Sequence, residues 1–588
     1  MVHGGDPATI TAKDVPNATL TRRAGMERNG QFHLILWKTC SDSKGLKTAQ
    51  TPVAARITAT AILAMLTLFG VVGLLLARLV TCSITLSSTP PSNASTPILE
   101  SFVSYSIEFS SFPEFAGNSS NPNSFSYNLL KNLNRLQGSY PIIRVGGNTQ
   151  DYATFNATQK TALVGSFNFN RSKDYPTTIS IGPSYFDSYS TWPNVTFLHG
   201  FNLGKNGTLG HDTLVGTVPL ACKALGNGKL AYWQLGNEPD LFKTSSQGPV
   251  RPSWWNETDY VQEWLNKTRI MKHLIQKNCP EVITRGDFRY YAPSFGGTGN
   301  SLNLIRTWAS GLNADNDIAF IDSHNYIGGA TQPGVTLQGT LMNHTSTVLS
   351  VAKHLNESNL LAKTGLPYIL GETNSLYNEG APGLSNSFGA ALWGVDFNLY
   401  CAATGIKRVH MHQGTNYRYA SWQPFQTVNE TLGTKAPYYG NIIVATFLGD
   451  LTSNNVSVSD IELGSTYQNA YAAYVNGRLQ RVAIIQMREY NTTSGTSGPR
   501  PSENFSFKLP SAQNTNVKGV GVQRLMANGS DAITGITFDG YSYNWELEQG
   551  KPVLLQNVTR NEVVKVAQNG DVSVDVPWSS AAILNLEW

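Results

Sequence analysis

Two apolar runs, each ending in a glutamate, restrict the folds open to this chain. They are Trp233-Gln234-Leu235-Gly236-Asn237-Glu238-Pro239 and Tyr368-Ile369-Leu370-Gly371-Glu372-Thr373-Asn374. A short apolar run bounded by turn residues reads as a strand covered on both faces, and such strands pair in parallel sheets wrapped by helices. The acids lie 134 positions apart. Three strand–helix units of about 40–45 residues fill that interval, so the acids fall on strands 4 and 7 of an eight-stranded barrel, at the C-terminal ends where such barrels assemble their sites.

Eight strand candidates follow in order: 102–109, 142–147, 197–204, 231–238, 290–296, 319–326, 368–372 and 408–412. Helical patterns separate several of them. The clearest, 258–277, places Val261, Trp264, Leu265, Met271, Leu274 and Ile275 on one face, with Asn256 or Thr258 as its cap. From about Asn454 the texture changes to short strands between turn-rich stretches: 470–475, 481–487, 505–509, 519–525, 553–555 and 581–586. The expected fold class is α/β, a (β/α)8 TIM barrel over 98–453 followed by an antiparallel β-sandwich over 454–588.

Charge separates the N-terminus from the rest. Residues 1–56 carry eight Lys and Arg against four Asp and Glu, the whole formal charge of +4, and the remainder is balanced. No basic stripe is visible, so nucleic acid is not an expected partner. Residues 57–76 are almost all apolar, between Arg56 and Arg78, and long enough to span a bilayer. Two readings stay open: a signal anchor over 57–80 with the basic segment cytoplasmic, or a signal peptide cut near Thr81-Cys82-Ser83. A third treats 1–56 as an extension foreign to the protein. That segment lacks periodicity and is expected to be disordered, and 81–97, rich in Ser, Thr, Pro and Asn, is expected to be a linker. Either export route leaves the folded part secreted or on the outer face of the membrane. Charged residues make up only 14% of the chain, and Asn-x-Ser/Thr acceptor sequences recur from Asn93 to Asn557, as on an N-glycosylated surface. Of the five cysteines, Cys40 and Cys82 lie before or at the export segment. Cys222 and Cys279 are the preferred disulfide pair, leaving Cys401. With no CxxC and no HExxH, neither a metal nor a cofactor is expected.

Two carboxylic acids on one barrel face suit glycoside hydrolysis, in which one protonates the leaving oxygen and the other attacks the ring. Asn237, immediately before one acid, is placed to bond a sugar hydroxyl beside the reacting carbon. Glu108 and Asp151, ending strands 1 and 2, are either acceptors of sugar hydroxyls or structural acids bonded to neighbouring loops. Arg144 and His410 point inward by alternation and are read as framework.

From about residue 98 to the C-terminus the chain resembles glycoside hydrolase family 79, the β-glucuronidase and heparanase family, and within it the exo-acting fungal and bacterial β-glucuronidases. The resemblance rests on Ser104-Tyr105-Ser106-Ile107-Glu108-Phe109, on Arg144-Val145-Gly146-Gly147-Asn148-Thr149-Gln150-Asp151, on the two glutamate strands and on the sandwich. It implies a retaining mechanism with Glu238 as acid/base and Glu372 as nucleophile, acting on a glucuronide-containing glycan. It places Tyr377 on the sugar carboxylate, His412, Tyr419 and Asn148 among the substrate contacts, and Tyr326 beside the nucleophile. Glu379, two residues past Tyr377, would repel a bound carboxylate and must point away or be paired. The alternatives are another retaining β-glycosidase of the same barrel clan, endo-acting and heparanase-like or a β-glucosidase, and a non-catalytic glycan-binding surface protein. The paired glutamates argue against the last.

Overall fold

A computed structural model describes residues 83–588, apart from 246–247, 494–498, 511–518 and 587–588. The apolar segment 57–76, its basic flank, Cys40 and Cys82 lie outside the described residues. Among those described, no helix is long and apolar enough to cross a membrane.

All eight expected barrel strands form: β1 Val103–Glu108, β2 Ile143–Gly146, β3 Phe197–Phe201, β4 Leu230–Leu235, β5 Tyr290–Phe295, β6 Ile318–Gly329, β7 Tyr368–Tyr377 and β8 Val409–Gln413. Each pairs in parallel with the next, and β8 closes the barrel on β1 from Val409↔Val103 to Gln413↔Ile107. Burial on both faces is why these strands read as apolar runs. Trp233, Tyr290, Ile369 and Val409 are fully buried. β6 and β7 are longer than the sequence indicates. Their pairing continues from His324↔Glu372 to Gly329↔Tyr377, a ribbon that carries Tyr326 and Tyr377 past the rim.

The outer layer includes α1 Ser124–Gln137, α2 Gly207–Leu225, α3 Glu257–Asn278, α4 His344–Leu360, α5 Phe388–Thr404 and α6 Ala436–Leu448. The α3 N-terminus is fixed by a capping box: Asn256 accepts from Thr258 and Asp259 N–H groups, and Asp259 accepts from the Asn256 N–H. After β2 the expected helix is replaced. A three-stranded sheet, Ala153–Phe155, Leu163–Ser166 and Thr178–Ile181, and a 3-10 helix, Pro183–Ser190, lead into β3. Cys222 in α2 is bonded to Cys279 at the C-cap of α3, and Cys401 is buried and free.

The C-terminal domain holds β9 Val456–Ser465, β10 Gln468–Val475, β11 Arg478–Gln486, β12 Ser502–Lys508, β13 Gly519–Met526, β14 Asp571–Pro577 and β15 Ser580–Asn585. One sheet is built around β9-β10-β11-β15-β13. The other is β14 and β12 with a third strand, Ile84–Thr85, from the far end of the chain. Residues 83–97 of the expected linker 81–97 are therefore more than a linker. Leu86 is buried with Phe505, Phe507, Val572 and Val574 in the core between the sheets, and Ile98 N–H donates to Val456 O at 2.8 Å. An edge strand accepts any extended segment that offers backbone donors and an apolar side chain, and composition alone does not announce this.

Candidate active site

Both glutamates stand where the strands open at the C-terminal rim. Glu238 follows β4 in a left-handed conformation, φ 50° and ψ 51°, a geometry that costs a non-glycine residue about 1–3 kcal/mol and persists only where its surroundings enforce it. Its N–H donates to Ser294 O at 2.9 Å. Glu372 lies inside β7, opposite His324 of β6. Carboxylate oxygens of Glu238 and Glu372 and a nitrogen of His324 all fall within 4.8 Å of one another.

Arg144 organises the floor. Its buried guanidinium donates to Glu372 Oε2 at 2.5 Å, Asn237 Oδ1 at 2.6 Å, Ser106 Oγ at 2.8 Å and Gln234 Oε1 at 2.9 Å. The sequence reading of Arg144 as framework is incomplete, because its charge bears directly on Glu372. His410, also buried, meets the Tyr105 carbonyl at 3.3 Å and packs edge-on against the Tyr291 ring, and is framework. Tyr326 O–H donates to Glu372 Oε1 at 2.8 Å. His412 Nδ1 sits 2.8 Å from Ser106 Oγ and 3.6 Å from Glu372 Oε2, while its Nε2 is 3.4 Å from Glu108 Oε2.

These surroundings drive the two acids apart in proton affinity. Burial and the charge of Glu372 push the Glu238 carboxyl up, out of the ordinary carboxylate range, with Arg144 and His412 offsetting only part. Burial also acts to raise Glu372, but His412, His324, Arg144 and the Tyr326 hydroxyl outweigh it and hold the carboxyl well below that range. Burial lowers His324 to about 4, so its ring is neutral near pH 7, whereas the Arg144 guanidinium beside Glu372 is a fixed positive charge. The neutral ring lies 2.9 Å from Glu238 Oε1. An imidazole nitrogen there accepts from a protonated Glu238 or, in the other tautomer, donates to its carboxylate. One acid protonated and one ionised is the division of labour that double displacement needs.

A cavity of about 550 Å³ opens above this pair. It is lined by every candidate read from the sequence: Glu108, Asn148, Asp151, Asn237, Glu238, Tyr326, Glu372, Tyr377, His412 and Tyr419. Their bonding separates them. Asp151 accepts from Leu203, Gly204 and Asn237 N–H groups at 2.7–2.9 Å. It is spent on fastening the turn that holds Asn237, the structural alternative of its two readings. Glu108 divides: Oε1 accepts from Thr149 N–H and Oγ1, and Oε2 from the Tyr417 hydroxyl at 3.2 Å. Asn237 offers Nδ2 toward Asn148 Oδ1 at 3.4 Å. Tyr377 stays half-exposed at the rim, and Tyr419 is buried against Tyr326 and Tyr417. His324 and Tyr417 are the residues the sequence reading missed as site members, and Glu379, expected to point away or be paired, instead lines the cavity with Arg418 Nη2 3.9 Å from its Oε2. Strand alternation in Asp322-Ser323-His324-Asn325-Tyr326 carries a signal for His324, since it shares an inward face with Tyr326.

Comparison with known proteins agrees with this architecture. Residues 470–583 match the family model described as the glycosyl hydrolase family 79 C-terminal beta domain. A β-glucuronidase of Aspergillus niger is 57% identical over 86% of this chain and 94% of its own length. A β-glucuronidase of Neurospora crassa is 55% identical over 84% and 92%. Among solved structures, a 4-O-α-L-rhamnosyl-β-D-glucuronidase from Fusarium oxysporum superposes with a TM-score of 0.69 at 24% identity, over 86% of this chain and all of its own. A Thermotoga petrophila α-L-arabinofuranosidase does so with 0.55 at 10% identity, over 85% and 99%. These two likenesses are of fold. The relatives at 55% and 57% identity span nearly their full lengths, and the chain belongs to glycoside hydrolase family 79.

Proposed function

We propose that the protein is a retaining exo-β-glucuronidase that releases glucuronic acid from glycans or glycoconjugates. One observation carries the mechanism: an oxygen of each carboxylate lies within 4.8 Å of an oxygen of the other. A retaining pair stands about 5–5.5 Å apart between carboxyl groups, whereas an inverting pair leaves about 6.5–9.5 Å for a water. The sugar choice is supported by the two β-glucuronidase relatives. In the first step Glu238 gives its proton to the glycosidic oxygen while Glu372 attacks the anomeric carbon, so the glycosidic bond breaks as a glycosyl ester forms. In the second, Glu238, now ionised, takes a proton from water whose oxygen attacks the same carbon and releases Glu372. Asn237 and Glu108 face the sugar hydroxyls, and Tyr377, Tyr419 and His412 complete the cavity wall. A panel of nitrophenyl glycosides, with the product anomer followed by NMR, tests this. Preference for the β-glucuronide with the β-anomer formed first is expected, and an inverted product or a glucoside preference defeats it. We further propose that the enzyme works outside the cytosol, a reading supported by the Cys222–Cys279 disulfide.

A further inference from the structure

The cavity poses an electrostatic problem. Its described lining contains five acids, Glu108, Asp151, Glu238, Glu372 and Glu379, and no lysine or arginine. A glucuronosyl group adds a further negative charge, and a buried anion requires donors. Four of the acids are already bonded: Glu372 by Arg144 and Tyr326, Glu238 with His324, Asp151 by backbone N–H groups, and Glu108 by Thr149 and Tyr417. Glu379 differs. Its side chain is 16% exposed, and the nearest cation, Arg418 Nη2, stands 3.9 Å from Oε2, beyond hydrogen-bond distance.

Arg418 is committed elsewhere. Its guanidinium forms a bidentate pair with Asp174 at 2.6 and 2.9 Å and donates through Nε to Gly380 O at 3.0 Å. The groups acting on the Glu379 carboxyl are Asp174 from the insertion after β2, Glu108 from β1, and Arg418, Tyr417 and Tyr419 from the loop after β8. Burial, then Asp174, with Glu108 adding less, raise the acid to about 8 against the opposing pull of Arg418. The backbone holds it in place. Asn378, Glu379 and Gly380 are all left-handed, with φ of 62°, 60° and 79°, and Arg418 N–H donates to Glu379 O at 2.8 Å. Two non-glycine residues in succession keep that conformation only under external constraint.

We propose that Glu379 is a specificity-determining residue which, as a neutral carboxylic acid, donates a hydrogen bond to the carboxylate of the bound glucuronosyl group, so that the cavity holds an anionic sugar without a lysine or arginine. The inference rests on the glucuronidase reading above. A neutral acid donates where a carboxylate repels. The sign follows: glucuronide affinity is full while Glu379 is protonated and falls as pH rises through its raised pKa, while an uncharged sugar feels no such loss.

The test measures KM and kcat for nitrophenyl β-glucuronide and its uncharged 6-amide with the full chain, from about pH 4 to 9, because the proton donor's ionisation limits kcat on both sugars whereas loss of the Glu379 donor weakens binding of the charged one. The native KM for the glucuronide should rise about tenfold or more toward alkaline pH, the loss of a hydrogen bond to a charged group, while that for the amide stays level. Glu379→Ala should raise the glucuronide KM by a similar factor at acid pH. Glu379→Gln, an untitrating donor, should give a smaller rise that no longer depends on pH. The inference is overturned if the alkaline rise persists in Glu379→Gln or if the amide follows the same curve as the glucuronide. Should Glu379→Gln not fold, the native comparison of charged and uncharged substrates decides alone. A native enzyme that cleaves glucuronides with a level KM sinks only this inference; one that cleaves none sinks the function as well.

Discussion

At the scale of single residues, the chemistry turns on two identical side chains made unlike by their surroundings. Burial and the charge of Glu372 favour the protonated form of Glu238, while His412, Arg144 and a tyrosine hydroxyl favour the anion of Glu372. Glu372→Gln should therefore nearly abolish turnover on every substrate. Glu238→Gln should lose about 10²–10⁴-fold on substrates with poor leaving groups and far less on activated ones, which need little proton donation. The same assignment fixes the pH dependence. The acid must be protonated, so native kcat falls as pH rises through the raised Glu238 pKa, and that alkaline limb should vanish in Glu238→Gln on an activated substrate. Equal losses in both variants on such a substrate, with no rescue by azide, would refute the roles.

At the scale of elements, the positions of the acids depend on how closely three strands approach. Asp322 of β6 accepts from the Gly371 N–H of β7 at 2.8 Å and from Ser294 Oγ of β5 at 2.5 Å. This tie lies one residue from Glu372. An added Cβ at Gly371 would fall on the Asp322 carboxylate, so that glycine is required for contact rather than for its dihedral freedom. Gly371→Ala should force β6 and β7 apart and displace Glu372, costing kcat about 100-fold, since a 1 Å misplacement can do as much. A kcat within about threefold of native, at unchanged melting temperature, would show that β7 tolerates the shift.

At the scale of the molecule, the two ends of the described chain meet in one domain. Ile84–Thr85 pairs with Phe507–Lys508, so a cleavage near Thr81-Cys82-Ser83 would leave the sandwich complete. Export would also bring the acceptor asparagines to the glycosylation machinery, and Asn118, Asn156, Asn170, Asn194 and Asn206 are exposed. Protein from its native host should lose mass when N-glycans are removed enzymatically. An unchanged mass would count against export.

The sequence by itself determined the barrel and its eight strands, and it singled out Glu238, Glu372 and the Cys222–Cys279 pair that the structure brings together. Burial on both faces forces apolar runs, the acids stand within or just past those runs, and Cys222 and Cys279 are two of only three cysteines after residue 82. Resemblance added roles for Glu238 and Glu372. Local pattern carried no sign of the three-stranded insertion after β2, because it stands where an α-helix was expected and its strands are short. Nor did it show the far-end strand of the sandwich, where Leu86 meets partners more than 380 positions away. What only the tertiary structure decided is which polar groups are shared among the acids. Arg144 lies inside β2, Asp151 in the 3-10 turn that follows it and His324 inside β6, and each finds its partner on another strand or loop of the barrel. Proton affinity in a buried site is set by such neighbours and by exclusion of water, quantities that depend on distance through space rather than along the chain.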